Sequence, residues 1–191
     1  MPLYRQGPKR LVDVALASVG LLLFAPLMVW ITWRLRRTFG PPALFRQRRV
    51  GLSGREFIIL KFRTMASDGS IPTPLSHQLR GTALDELPQL INILRGEMSF
   101  VGPRPLIPDE LSGLDQVRDG RRRLCVRPGL AGLAQLRSDK SPTLPERIRL
   151  DLFYIDHCNF WLDLRILFES VSVTGRSGWE KAGPKISPEK L

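Results

Sequence analysis

Val14-Ala15-Leu16-Ala17-Ser18-Val19-Gly20-Leu21-Leu22-Leu23-Phe24-Ala25-Pro26-Leu27-Met28-Val29-Trp30-Ile31-Thr32-Trp33 contains no charged residue. A helix needs about 20 such residues to cross the hydrocarbon core of a bilayer. No small-x-small cleavage site follows before Arg34, so the segment reads as a retained membrane helix, not a signal peptide. Pro26 near its middle removes one helix hydrogen bond. Lys9 and Arg10 flank one end, and Arg34, Arg36 and Arg37 the other, so the positive-inside rule gives no single orientation. Two readings follow. One is a kinked single span, since membrane helices tolerate proline. The other is a helix broken at Pro26 that dips into the bilayer and returns. Asp13 at the edge is expected to pair with a flanking cation or to lie at headgroup level.

The rest of the chain bounds what such an anchor could carry. With 191 residues there is room for one modest domain with a core. The net charge of +11 calls for an anionic counterpart: nucleic acid, lipid headgroups or phosphorylated substrates. Cys125 and Cys158 form neither a disulfide framework nor a metal-ligand spacing, and both read as ordinary buried thiols of a reduced compartment. His77 and His157 lack partners at metal spacing and read as structural or surface residues. There is no internal repeat and no glycine-rich nucleotide loop.

Ala43 to Val50 and Arg55 to Phe62 read as two strands, with Gly51-Leu52-Ser53-Gly54 as a loop of hairpin length. Ala66 to Pro74 reads as a polar loop. Leu84-Asp85-Glu86-Leu87-Pro88-Gln89-Leu90 opens a helix. A capping box from Thr82 to Asp85 would put Pro88 in the helix interior, so the expected start is Asp85, with Leu87, Leu90, Ile91 and Leu94 on one apolar face. Asp85 and Glu86 then lie at the positive end of the helix dipole, where carboxylates stay ionised. Gly102-Pro103-Arg104-Pro105 fits neither helix nor central strand; its prolines stiffen the backbone that presents Arg104. Arg127-Pro128-Gly129 carries a type II turn signature. Arg121-Arg122-Arg123 reads as a solvated or membrane-facing charge run, and Leu130 to Leu136 as a strand or buried loop. From Pro145 to about Gly175 the pattern is helical, with apolar faces at Ile148, Leu152 and Ile155 and at Leu162, Ile166, Leu167 and Val171. Basic and aromatic residues among them suit a membrane interface.

An adjacent acid pair followed by a clamped arginine supplies a nucleophile, a metal ligand and a phosphate-facing cation, the set that metal-assisted phosphoryl transfer needs. Together with Lys9-Arg10-Leu11-Val12-Asp13, Lys61-Phe62-Arg63-Thr64-Met65, Arg127-Pro128-Gly129 and Leu150-Asp151-Leu152-Phe153-Tyr154, these motifs resemble, in order and spacing, the short bacterial sugar transferases of the monotopic phosphoglycosyl transferase superfamily. The resemblance implies transfer of a sugar 1-phosphate from a UDP-sugar to polyprenyl phosphate, with UMP released. It implies Asp85 as nucleophile through a covalent phosphosugar intermediate, and Glu86, with Asp85, as ligand to Mg²⁺. Arg104, Arg80, Arg127, Lys61, Gln135 and Arg137 are the implied phosphate and substrate contacts.

The implied fold is a small α/β domain of α+β character: a membrane re-entrant helix with its break at Pro26 and basic flanks over 1–40, a catalytic domain over 41–176 with a β-hairpin and interfacial amphipathic helices, and a loosely ordered tail over 177–191. It selects re-entry over a span and a site on the cytoplasmic face of the inner membrane. Membrane lipids are partners, nucleic acid is not, and a homodimer is left open. Two departures stand out. Relatives often carry serine where this chain has Ala25, and an arginine where it has Asp139, so that Arg137 or Lys140 would have to supply the missing cation. The competing reading from another class is a non-catalytic, membrane-anchored basic binding protein. Against it, the basic residues are interleaved with apolar helices and not gathered on one recognition element. A polytopic transferase would need more hydrophobic segments than this one.

Overall fold

The computed structural model describes residues 4, 7–66, 69–71, 73–137 and 143–177. The expected tail beyond residue 177, and the Asp139 and Lys140 positions, lie outside the described residues. The elements mix helix with two small sheets.

Helix α1 runs from Pro8 to Phe39, 32 residues, and continues through Pro26 as one helix, where two separate half-helices were expected. It is the one described helix long and apolar enough to cross a membrane. Its ends are tied to the rest of the chain by polar groups. Asp13 is 4% exposed and accepts from the Ser99 hydroxyl and the Phe100 amide, both at 3.0 Å. It therefore fixes a strand and neither pairs with a flanking cation nor sits at a headgroup surface. Arg10 donates to the carbonyls of Ile93 and Leu94, at 2.5 and 2.9 Å, and satisfies the open end of helix α3 (Gln89–Arg95). Lys9 pairs with buried Asp163, which also accepts from Tyr4 at 3.0 Å and Tyr154 at 2.7 Å. At the other end Ile31 and Leu35 are fully buried with Ala43, Phe62 and Leu79. Between the two docked ends, Leu22 to Pro26 are exposed without interruption, more than a full helical turn.

Strands β1 (Leu44–Val50) and β2 (Glu56–Phe62) form the expected antiparallel hairpin, in a register from Leu44 opposite Phe62 to Val50 opposite Glu56. Helix α2 (Pro74–Gly81) follows, unforeseen in the sequence. Thr73 accepts from the Ser76 amide and Pro74 takes the first turn, where its missing N–H is no loss. Ala83 then adopts a left-handed φ of 54°, which ends α2 and starts a 3₁₀ turn over Leu84–Glu86. Helix α3 begins at Gln89, not Asp85, so the two acids stand on the tight turn ahead of the helix. The shift also alters the buried face: Leu90 and Ile93 are buried, together with Gln89 and Asn92, while Ile91 is only partly covered. Asn92 ties α3 to β2 by accepting from the Leu60 amide at 3.1 Å and donating to the Ile58 carbonyl at 2.7 Å.

Strand β3 (Ser99–Val101) pairs in parallel with β4 (Gly129–Ala131). Gly129 therefore opens a strand and not a type II turn. Its lack of a side chain serves close approach: a Cβ there would lie 2.1 Å from the Gly102 nitrogen. Helix α4 (Leu133–Arg137) occupies most of the stretch expected as strand or loop. Helix α5 (Leu144–His157) starts on a Thr143–Glu146 capping box, and α6 (Phe160–Ser177) completes the domain. Ile166 of α6 is buried, but Val171 is exposed, in line with Trp161, Leu164 and Phe168 on an outward apolar face. The arginine run divides: Arg121 pairs with Asp115 and Arg122 with Asp156 at the surface, whereas Arg123 is buried on Asp151 at 2.8 Å. Cys158 is buried but Cys125 is exposed, contrary to expectation, and neither forms a disulfide.

Candidate active site

The 3₁₀ turn carrying Asp85 and Glu86 forms one wall of a cleft of about 1140 Å³. The β-hairpin and the loop after β3 supply the opposite sides. Six cations line it, namely Arg46, Arg49, Lys61, Arg63, Arg80 and Arg104, against the two carboxylates. Such a wall attracts polyanions while leaving an acid pair in their midst.

Each functional group is placed by a local cause. Lys61 is the penultimate residue of β2, and its Nζ meets Glu86 Oε1 at 2.5 Å. This pair holds the hairpin against the acid turn and leaves Glu86 Oε2 available. Asp85 is 9% exposed. Burial, and next the charge of Glu86, push its carboxyl up to about 6, against the pull of Lys61 and Arg80. The expected support from an α-helix N-terminus is absent, because α3 starts beyond Pro88. Asp85 nevertheless remains mostly ionised at neutral pH. Arg104 sits between two prolines, and its carbonyl accepts from Arg123 at 2.9 Å, so the buried Asp151–Arg123 pair steadies the loop that presents it.

A small crevice of about 20 Å³ adjoins the cleft, sharing Arg49, Lys61, Glu86 and Arg104 with it. Gln89 and Gln135 line this crevice, and Gln89 Nε2 and Gln135 Oε1 are buried there without a hydrogen-bond partner among the described residues. The volume matches a single water molecule.

A family model for bacterial sugar transferases matches residues 4–177. This chain belongs to the bacterial sugar transferase family. A UDP-glucose:undecaprenyl-phosphate glucose-1-phosphate transferase of Caulobacter vibrioides is 38% identical over 182 residues, covering 85% of this chain and 68% of that protein. The uncharacterized sugar transferase EpsL of Bacillus subtilis is 36% identical, covering 83% of each chain. The exopolysaccharide production protein ExoY of Rhizobium meliloti is also 36% identical, covering 85% of this chain and 83% of its own. Other relatives are longer: the chain spans 39% of a Klebsiella pneumoniae protein that carries the same printed name as the Caulobacter one.

In this sugar transferase, the expected site residues Asp85, Glu86, Lys61, Arg80 and Arg104 share the cleft, and Gln135 reaches it through the crevice. Two expected contacts go elsewhere. Arg127 donates to the Gly96 carbonyl at 2.8 Å, outside the cleft. Arg137 pairs with Glu169 of α6 at 2.9 Å and is committed to packing. Arg46 and Arg49 are cleft residues outside the motifs, and Arg63 is one that the Lys61–Met65 motif contains without a role assigned to it. A signal for Arg49 existed: in an antiparallel pair, alternate residues share a face, and the hairpin register puts Phe45, Gln47 and Arg49 on the face of Lys61.

The set is suited to a hard divalent cation. Two carboxylates together with phosphate oxygens are a usual Mg²⁺ environment, since that ion keeps several waters and needs no closed protein cage. No group of three or more acidic, histidine or cysteine ligands occurs among the described residues, and Asp85 and Glu86 are the carboxylates that line the cleft.

Proposed function

We propose that this chain transfers a sugar 1-phosphate from a UDP-sugar to polyprenyl phosphate. The observation that carries the reading is the Asp85–Glu86 pair in the wall of a cleft whose other charged lining residues are all cations. Asp85 Oδ attacks the phosphorus that bears the sugar. The bond from that phosphorus to the bridging oxygen breaks, and UMP leaves with that oxygen. A phosphate oxygen of the lipid then attacks the same phosphorus and returns Asp85 as a free carboxylate. Mg²⁺, held through Asp85 and Glu86, would neutralise diphosphate charge and ease departure of UMP. Lys61, Arg80 and Arg104 face the phosphate oxygens. Pro42, Leu44, Phe45 and Met65 form an apolar rim next to the C-terminal end of α1, suited to the first units of a prenyl chain.

The same reading puts α1 in the membrane as a re-entrant helix at the cytoplasmic face. Both its ends dock on one domain, and that domain cannot lie on both sides of a hydrocarbon layer about 30 Å thick. The exposed apolar turn Leu22–Pro26 is the part available to lipid, and the outward face of α6 at Trp161, Leu164 and Phe168 suits the adjoining interface.

Incubation with sugar-labelled donor and no lipid should leave label on the protein and release UMP, and lipid phosphate should then remove the label. Asp85→Asn should abolish both steps. Label accumulating on the Asn variant at the wild-type level would assign the nucleophile to another residue.

A further inference from the structure

No carboxylate lies within ion-pair distance of Arg49 among the described residues, although Glu110 and Glu86 are near enough to offset part of its charge. Its Nη1 donates to the Pro105 carbonyl at 3.0 Å and its Nη2 to Gln47 Oε1 at 2.6 Å, while Nε is buried without an acceptor. Both acceptors are neutral. Three other cations of the domain have a counter-charge, Lys61 in Glu86, Arg123 in Asp151 and Arg137 in Glu169, whereas Arg10 and Arg127 donate to backbone carbonyls away from the cleft. Arg49 and Arg104 take part in no ion pair among the described residues. A partly desolvated guanidinium without a carboxylate is costly, so an anion from outside is its natural complement.

Arg49 and Arg104 also stand together. Both line the cleft and the crevice, so they share the boundary between the two, where Glu86 also lies. Burial, and next the like charge of Arg104, hold the Arg49 guanidinium below its ordinary range. The two are positioned differently: the Arg49 guanidinium is held by the carbonyl of Pro105 and by Gln47, whereas at exposed Arg104 it is the backbone that is held, by the flanking prolines and by Arg123. An anchored fork and an exposed one that repel each other are poised for an anion able to meet both. A diphosphate offers oxygens on two phosphorus atoms and suits two planar forks better than a lone phosphate does.

We propose that Arg49 and Arg104 form a two-guanidinium clamp for the donor's diphosphate, holding it against the Asp85–Glu86 wall. The identity of the donor rests on the function proposed above; the clamp itself requires only a diphosphate.

The probe is inorganic pyrophosphate, titrated calorimetrically into the full chain in detergent micelles or nanodiscs, with thermal unfolding measured on each variant. The wild type should bind. Arg49→Gln and Arg104→Gln should each weaken binding by about tenfold or more, the loss of a charge-assisted bidentate contact. Arg49→Lys, which keeps the charge but not the fork, should fall between. In donor kinetics Arg49→Gln should raise KM more than it lowers kcat. A folded Arg49→Gln that binds pyrophosphate like the wild type would overturn the clamp, because the arginine would then serve only to brace Pro105. So would a wild type that does not bind pyrophosphate, or loss of the fold in both the Gln and Lys variants. Arg49-dependent pyrophosphate binding by a protein that transfers no sugar phosphate would sink the donor reading and leave the clamp standing.

Discussion

Asp85 is held in an environment that works against its own charge. Its carboxyl is pushed up to about 6, first by burial and then by Glu86, so the folded state takes up a proton at a pH where the unfolded chain does not. The sign follows. Between the ordinary carboxylate range and about pH 6, stability falls as pH rises, and the full cost is present at neutral pH. Asp85→Asn should therefore raise the unfolding free energy at pH 7.5, by on the order of 2 kcal/mol, while abolishing transfer. A thermal-shift series from pH 5 to 8 checks this: the difference between variant and wild type should shrink toward pH 5. Formation of labelled protein should show the same titration, half-maximal near pH 6 and reaching its plateau about a pH unit higher. Glu86 makes a separate prediction. Excess chelator should abolish turnover, and Glu86→Gln should lower it by orders of magnitude, since the proposed ligand of the divalent ion and the partner of Lys61 are lost together. Full activity under chelation would refute the metal requirement. At this scale the acid pair, Lys61 and Arg104 were legible as motif residues. Asp13 and Arg123 were not, because a charged residue next to an apolar segment or within a basic run gives no sign that a distant backbone group or acid will bury it.

The elements depend on a few polar and steric joints between them. Asp13 links α1 to β3 by accepting from the Ser99 hydroxyl and the Phe100 amide. Asp13→Ala leaves the part-buried Phe100 amide unsatisfied, while the Ser99 hydroxyl keeps the Val101 carbonyl as acceptor, and should cost about 1–3 kcal/mol in thermal or denaturant unfolding in micelles. Asp13→Asn, which retains an acceptor, should recover part of that. The β3–β4 pairing sets a harder limit. A Cβ on Gly129 would meet the Gly102 nitrogen at 2.1 Å, so Gly129→Ala must separate the two strands or displace the loop that carries Arg104. The strands of the hairpin and the helical stretch that holds α5 and α6 were readable from turn glycines and periodicity, whereas the Thr143–Glu146 capping box that starts α5 was not read. The start of α3 was misplaced by four residues because a 3₁₀ turn and a first helical turn share the same signals of acids and proline.

For the molecule as a whole, the question is what α1 does. Lys9, Arg10 and Asp13 fasten one end to the domain, and Ile31 and Leu35 bury the other against it. Docking, more than flanking charge, argues for both ends on one side, since Lys9 and Arg10 are already engaged within the fold. Single cysteines at Gly7→Cys and Thr38→Cys, in a background of Cys125→Ser and Cys158→Ala, should both resist an impermeant thiol reagent in intact spheroplasts. Both should react after lysis. Labelling of one end alone in intact cells would instead establish a conventional span.

By itself the sequence determined the family and the pieces to which the proposed chemistry is assigned: an apolar helix, a hairpin, an acid pair and a clamped arginine, each recognisable from neighbours along the chain. Only the tertiary structure decided which cations join that acid pair. Arg49 entered the cleft through strand register, whereas Arg127 and Arg137 were drawn off to the Gly96 carbonyl and to Glu169. The reason is physical. Propensity, capping and periodicity act over a few residues, whereas burial, counter-charge and the raised carboxyl of Asp85 depend on groups that only folding brings within reach.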